Sequence, residues 1–146
     1  MSDRTASKGG RGVEAVSLTK APARILIVED DWIVATVAER ALFEAGHKIV
    51  GIAYTAQDAF NLAQVHRPEL ILFDIKLSTG TDGVDAALKI MQKFAIRPLF
   101  VSAHADNEDV RERAKASRPL GWLNKPFTTK QLLNAVDLAL HLVRAK

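Results

Sequence analysis

The sequence predicts one (βα)5 domain, a doubly wound α/β sheet of parallel strands, and three observations carry that reading. From residue 24 onward, β-branched apolar runs alternate strictly with runs of helical period. The first, third and fourth strand runs are nearly continuous in apolar residues, as expected of strands covered by helices on both faces. The chain's 146 residues suit a single domain with an ample core and leave little room for another. Consecutive βα units of this kind imply a parallel sheet with right-handed crossovers.

Strands are expected near 24–28, 48–53, 70–73, 98–102 and 120–123, and helices near 32–45, 56–66, 83–94, 106–117 and 128–144. Gly46 stands just past the first helix, where a left-handed cap is wanted. Thr55 can cap the second helix, which Pro68 follows, and Thr128 can cap the last. Residues 1–22 are rich in small, polar and basic groups, with Gly9-Gly10-Arg11-Gly12 breaking any helix. They read as a disordered tail ahead of a folded domain over 23–146. A basic arm for nucleic acid or membrane is disfavoured because Asp3 and Glu14 oppose its charge.

In the last helix, Leu132, Leu133, Val136, Leu140 and Val143 form one stripe that must face the core. Leu138 and Leu142, with Ala135, form a second stripe on an adjoining face. Two readings of that stripe stand side by side: a partner or homodimer surface, or a face covered by neighbouring elements.

Composition narrows the function classes. Apolar residues make up 48% and charged residues 25%, ordinary values for a globular protein. No apolar run approaches the ~18 residues that cross a bilayer, and the start lacks the apolar middle of a secretory signal. Cysteine is absent, which excludes disulfides and thiolate metal sites and agrees with a cytoplasmic location. The net charge of +3 is mild and its basic residues are scattered. Neither DNA nor a membrane is therefore expected as a partner.

The chemistry gathers at strand ends. The run Arg24-Ile25-Leu26-Ile27-Val28 stops in Glu29-Asp30-Asp31, Leu70-Ile71-Leu72-Phe73 stops at Asp74, and Leu99-Phe100-Val101 stops at Ser102. Asn124-Lys125-Pro126-Phe127 follows the last strand run. Ligands of open α/β sheets bind outside the carboxyl ends of the strands, so these residues should converge. Crowded carboxylates are costly unless a cation shares the site, and an all-oxygen set suits Mg²⁺. Asp30 and Asp74 are the expected direct ligands, with Glu29 acting directly or through water. Asp74, alone on a central strand, is the best nucleophile toward phosphorus. Lys125 supplies a cation and Ser102 a hydroxyl for the phosphoryl oxygens.

At Val28-Glu29-Asp30-Asp31, Phe73-Asp74-Ile75-Lys76-Leu77, Val101-Ser102-Ala103 and Asn124-Lys125-Pro126-Phe127, the chain resembles the receiver domain of two-component response regulators. The order and spacing of the four pieces cover residues 24 to 144. The resemblance implies a flavodoxin-like sheet in strand order 2-1-3-4-5. It implies that Asp74 accepts phosphate from a histidine kinase or histidine phosphotransfer protein, with Mg²⁺ held by Glu29, Asp30, Asp74 and the backbone carbonyl of Lys76. It further implies that Ser102 and Lys125 bind the phosphoryl group, that Lys125-Pro126 is a cis peptide, and that Ser102 and Trp122 form the switch. Trp122 is larger than the usual Tyr or Phe there, which restricts an inward rotation. The segment from Asp74 to Gly83 is one residue longer than the common form and carries Ser78-Thr79-Gly80 in place of the usual proline.

The expected function is thus a phosphorylation-controlled binding module acting on a downstream protein, catalysing at most its own phosphorylation and dephosphorylation. Alternatives are a phosphate-independent pseudo-receiver, a receiver cut from a hybrid kinase, and a metal-dependent phosphohydrolase. The last places an acid two residues after its nucleophile, where this chain has Lys76. A flavodoxin-type cofactor binder is discounted because acids, not a phosphate loop, follow the first strand. His104 reads as a loop residue at the pocket mouth, His47, His66 and His141 as surface, and Trp32 as packing at a helix start.

Overall fold

β1 (Arg24–Val28), β2 (Lys48–Ala53), β3 (Leu70–Asp74), β4 (Pro98–Ser102) and β5 (Gly121–Asn124) form one sheet in the order 2-1-3-4-5. All four pairings are parallel. The computed structural model describes residues 21–77 and 82–145. The expected tail up to residue 20 and the loop residues Ser78, Thr79 and Gly80 lie outside them. Between the strands run α1 (Trp32–Glu44), α2 (Ala56–His66), α3 (Gly83–Phe94) and α4 (Glu108–Ala114), and α5 (Thr129–Arg144) follows the last strand. None of the described helices is long and apolar enough to cross a membrane.

The period of two along each strand divides the core into two layers. Ile25, Ile27, Leu70, Leu72, Leu99 and Val101 pack under α1 and α5. Leu26, Val28, Ile71, Phe73 and Phe100 pack against α2, α3 and α4. Burial of both faces explains why β3 and β4 carry no polar residue until their last position.

Helix ends follow their side chains. Thr55 accepts from Asp58 N–H, and Thr128 and Gln131 cap α5 reciprocally. Gly46 takes φ +100 and donates to Phe43 O at 2.9 Å, closing α1 as its position demands. The fourth helix is shorter than expected. Asn107 accepts from Val110 N–H at 3.1 Å, so α4 starts after it, and Lys115–Ser117 form a 3₁₀ turn that ends at Arg118 with φ 53.

Two residues depart from their expected places. Trp32 is 64% exposed, so bulk at the start of α1 does not pack. His47 is buried, not on the surface, because the chain reverses at Gly46 and carries the ring under the start of β1. There its Nδ1 accepts from Ala23 N–H at 3.1 Å, satisfying a buried donor just ahead of β1. Burial pushes the His47 imidazole below its usual range, and Arg144 adds to this while Asp137 and Glu69 oppose it.

A depressed imidazole means that the unfolded chain takes up the proton first. Its contribution is therefore complete above about pH 6.5 and is lost as pH falls through the folded value. His47→Leu is expected to cost about 1–3 kcal/mol in a urea melt near neutral pH, from the orphaned Ala23 N–H. It should also make the variant lose less stability, or gain more, than the wild type as pH falls below about 6.5. Equal pH dependence in the two proteins would contradict this account.

Candidate functional site

The carboxyl ends of β1, β3, β4 and β5 meet at one edge of the sheet. Glu29 extends β1, and its N–H donates to Ala53 O at 2.9 Å. Asp74 ends β3 opposite Val101 of β4, and Ser102 lies one step further along β4 beside Asn124. Lys125 follows β5 and donates its N–H to Ser102 O at 3.0 Å. The Lys125-Pro126 bond is cis.

Lys125 Nζ reaches Glu29 Oε1 at 2.7 Å and Asp74 Oδ2 at 3.2 Å. The second oxygen of each acid is held by backbone. Asp31 N–H donates to Glu29 Oε2 at 3.0 Å, and Lys76 N–H donates to Asp74 Oδ1 at 3.1 Å. Glu29 and Asp74 are each 4% exposed, whereas Asp30 is half-buried. Burial pushes Glu29 up to about 7 against the hydrogen bonds from Lys125 and Asp31, with the Asp74 charge adding to the rise. Burial also works against the Lys125 charge, but the hydrogen bond to Glu29 and the Asp74 carboxylate outweigh it and raise the ammonium above its usual range.

Glu29, Asp30 and Asp74 each offer an oxygen within 4.8 Å of the others. Three hard oxygen donors around one point fit Mg²⁺, which would offset the cost of ionising them together. Asp31 plays a different part. Its side chain accepts from Ile33 and Val34 N–H and caps α1.

Ser102 is buried, and its Oγ accepts from His104 N–H at 2.9 Å. Acting as acceptor there, it keeps its own proton for another oxygen. His104 is exposed and joins this contact through backbone alone. Trp122 sits apart from the carboxylates, in register with Phe100 two residues before Ser102. Its ring packs on Phe100 at 4.9 Å, and the Arg111 guanidinium of α4 covers it at 4.9 Å. An apolar groove of about 460 Å³, lined by Ile33, Val34, Val37, Ala103, Pro126 and Phe127, adjoins Lys125.

Sequence reasoning passed over Asp82, Gly83 and Arg113. Asp82 accepts from Val84 N–H at 2.8 Å and caps α3. An Asp before Gly83 and an apolar helical run was a readable cap signal. A Cβ on Gly83 would stand 2.2 Å from Asp74 O, so the close approach of α3 to the end of β3 requires glycine. Nothing in the local pattern around Arg113 marked its reach to Asp82.

The response regulator receiver domain model matches residues 25–137. The transcriptional regulatory protein PdtaR of Mycobacterium tuberculosis is 37% identical over 118 residues, covering 81% of this chain and 57% of its own length. The phyllosphere-induced regulator PhyR of Methylorubrum extorquens is 32% identical over 117 residues, covering 80% of this chain and 43% of its own length. The chain thus spans about half the length of the curated relatives it matches. Among solved structures, the response regulator PhyR from Brucella abortus superposes with a TM-score of 0.73 at 28% identity, over 86% of this chain and 50% of that one. The signal receiver domain of a modulated diguanylate cyclase from Desulfovibrio desulfuricans gives 0.76 at 27% identity, over 85% and 98%. With its sheet order, its strand-end acids and these matches over most of its length, the chain belongs to the response regulator receiver domain family of two-component signalling.

Proposed function

We propose that Asp74 accepts a phosphoryl group from a histidine kinase or histidine phosphotransfer protein and that the modified chain signals by altered contacts with another protein in the cytoplasm. One observation supports this above the rest. The Asp74 carboxylate is buried, oriented on one oxygen by Lys76 N–H and on the other by Lys125, and set among two further acids.

In the transfer, an Asp74 oxygen forms a P–O bond as the donor's P–N bond breaks. The bonding pair leaves with the imidazole nitrogen, which takes up a proton. Glu29, Asp30, Asp74 and the Lys76 carbonyl would hold Mg²⁺, which offsets repulsion between carboxylate and phosphoryl oxygens. Lys125 would exchange Asp74 for a phosphoryl oxygen, and the Ser102 hydroxyl would donate to another. Trp122, clasped between Phe100 and Arg111, moves inward only if that contact opens. The groove beside Lys125 is where a donor would cover apolar surface while reaching Asp74.

The test is transfer from a radiolabelled histidine phosphotransfer protein. Label should pass to the wild type and not to Asp74→Asn; label on both would overturn the assignment. A second output reading, homodimerisation through α5, is favoured by Leu138 and Leu142, which stand 56% and 48% exposed. Light scattering should then show dimers on phosphorylation, and a monomer in both states would exclude it.

A further inference from the structure

Lys76 and Asp82, at the base of the segment after Asp74, are held from two sides. The backbones of Lys76 and Asp82 pair as an antiparallel bridge, which closes the loop's base. One side of that base is tied to the phosphoacceptor strand. Lys76 N–H donates to Asp74 Oδ1 at 3.1 Å, and Gly83 N–H donates to Ile75 O at 2.7 Å.

The other side is tied to a different helix. While Asp82 Oδ1 caps α3, its Oδ2 pairs with Arg113 Nη2 of α4 at 2.5 Å. Arg113 Nη1 lies 3.7 Å from Asp85 Oδ1 in the first turn of α3. One rigid guanidinium fork therefore gathers both acids at the start of α3. The Arg113 and Asp82 side chains are 48% and 32% exposed, so the pair adds little to global stability. What it fixes is the location of the loop base that includes Lys76.

We infer that Arg113 is a positioning residue for the Lys76 carbonyl and so sets the site's affinity for Mg²⁺. The inference rests on the metal-assisted phosphoacceptor reading above. Its sign separates it from a simple field effect. Removing a positive charge should tighten cation binding if only the long-range field matters, whereas loss of the clamp should weaken it.

The experiment is calorimetric titration of Mg²⁺ into the whole chain, beside thermal melts in chelator. Arg113→Ala should bind Mg²⁺ about threefold to fivefold more weakly, with a chelated melt close to that of the wild type. Arg113→Lys, which keeps the charge and loses the fork, should fall between. Arg40→Ala, which breaks an exposed pair with Glu44 elsewhere, should not weaken binding. Unchanged or tighter binding by Arg113→Ala would overturn the inference and leave the site reading standing. Equal weakening by Arg40→Ala would also overturn it. A wild type that binds no Mg²⁺ would overturn the site reading and this inference with it.

Discussion

Asp74→Asn is expected to abolish the phosphoryl adduct and to leave the fold at least as stable as the wild type. An amide at position 74 has no carboxylate oxygen to form an acyl phosphate, so the loss should be complete. Stability should move the other way. Glu29 is raised to about 7 by burial, with the Asp74 charge among the causes, so a charge at position 74 opposes the ionisation of Glu29. A neutral Asn removes that repulsion, and Lys125 still holds Glu29 at 2.7 Å. Because that contact persists, no buried charge is orphaned, and a gain of up to about 1 kcal/mol is expected in urea melts at neutral pH. A loss of several kcal/mol would mean that Asp74 serves the fold rather than chemistry.

Gly83→Ala should have the largest structural effect. Its new Cβ would meet Asp74 O at 2.2 Å and the Ile75 Cα and O at 2.8 Å. These are backbone atoms at the end of a buried strand, with no flexible side chain to yield. Alanine would gain about 1 kcal/mol in helix propensity over glycine. The clash opposes it, because either α3 lifts from the sheet or the end of β3 shifts, breaking the Gly83–Ile75 hydrogen bond. A net loss of about 1–3 kcal/mol is expected, together with slower phosphorylation as Asp74 moves. Wild-type stability and rate in this variant would show that the approach of α3 does not hold the phosphoacceptor strand.

Much of this architecture was legible because the strands are buried on both faces. Ile71, Leu72 and Phe73 admit no polar residue, so the change at Asp74 marks the strand end and the site together. Thr55 and Thr128 were readable because hydroxyl caps act on neighbouring residues. What escaped depends on long-range contact. His47 looked like a polar residue after a turn; its burial goes with the hydrogen bond its ring accepts from Ala23 N–H, 24 residues away. Arg113 looked like one more charge on a solvated helix, although it reaches 31 residues back to Asp82. Trp32 errs in the opposite direction, since size suggested packing where the start of α1 stands clear of the core.

The central claim is a metal-assisted acceptor at Asp74, and the most direct measurement is intact mass after incubation with acetyl phosphate, with and without Mg²⁺, beside Asp74→Asn. In this reaction the carboxylate forms a P–O bond as acetate leaves with the bonding pair, so no partner protein is needed. A single phosphoryl adduct on the wild type, dependent on Mg²⁺ and absent from Asp74→Asn, is the predicted result. An adduct that persists in Asp74→Asn, or that forms equally well in chelator, would contradict it.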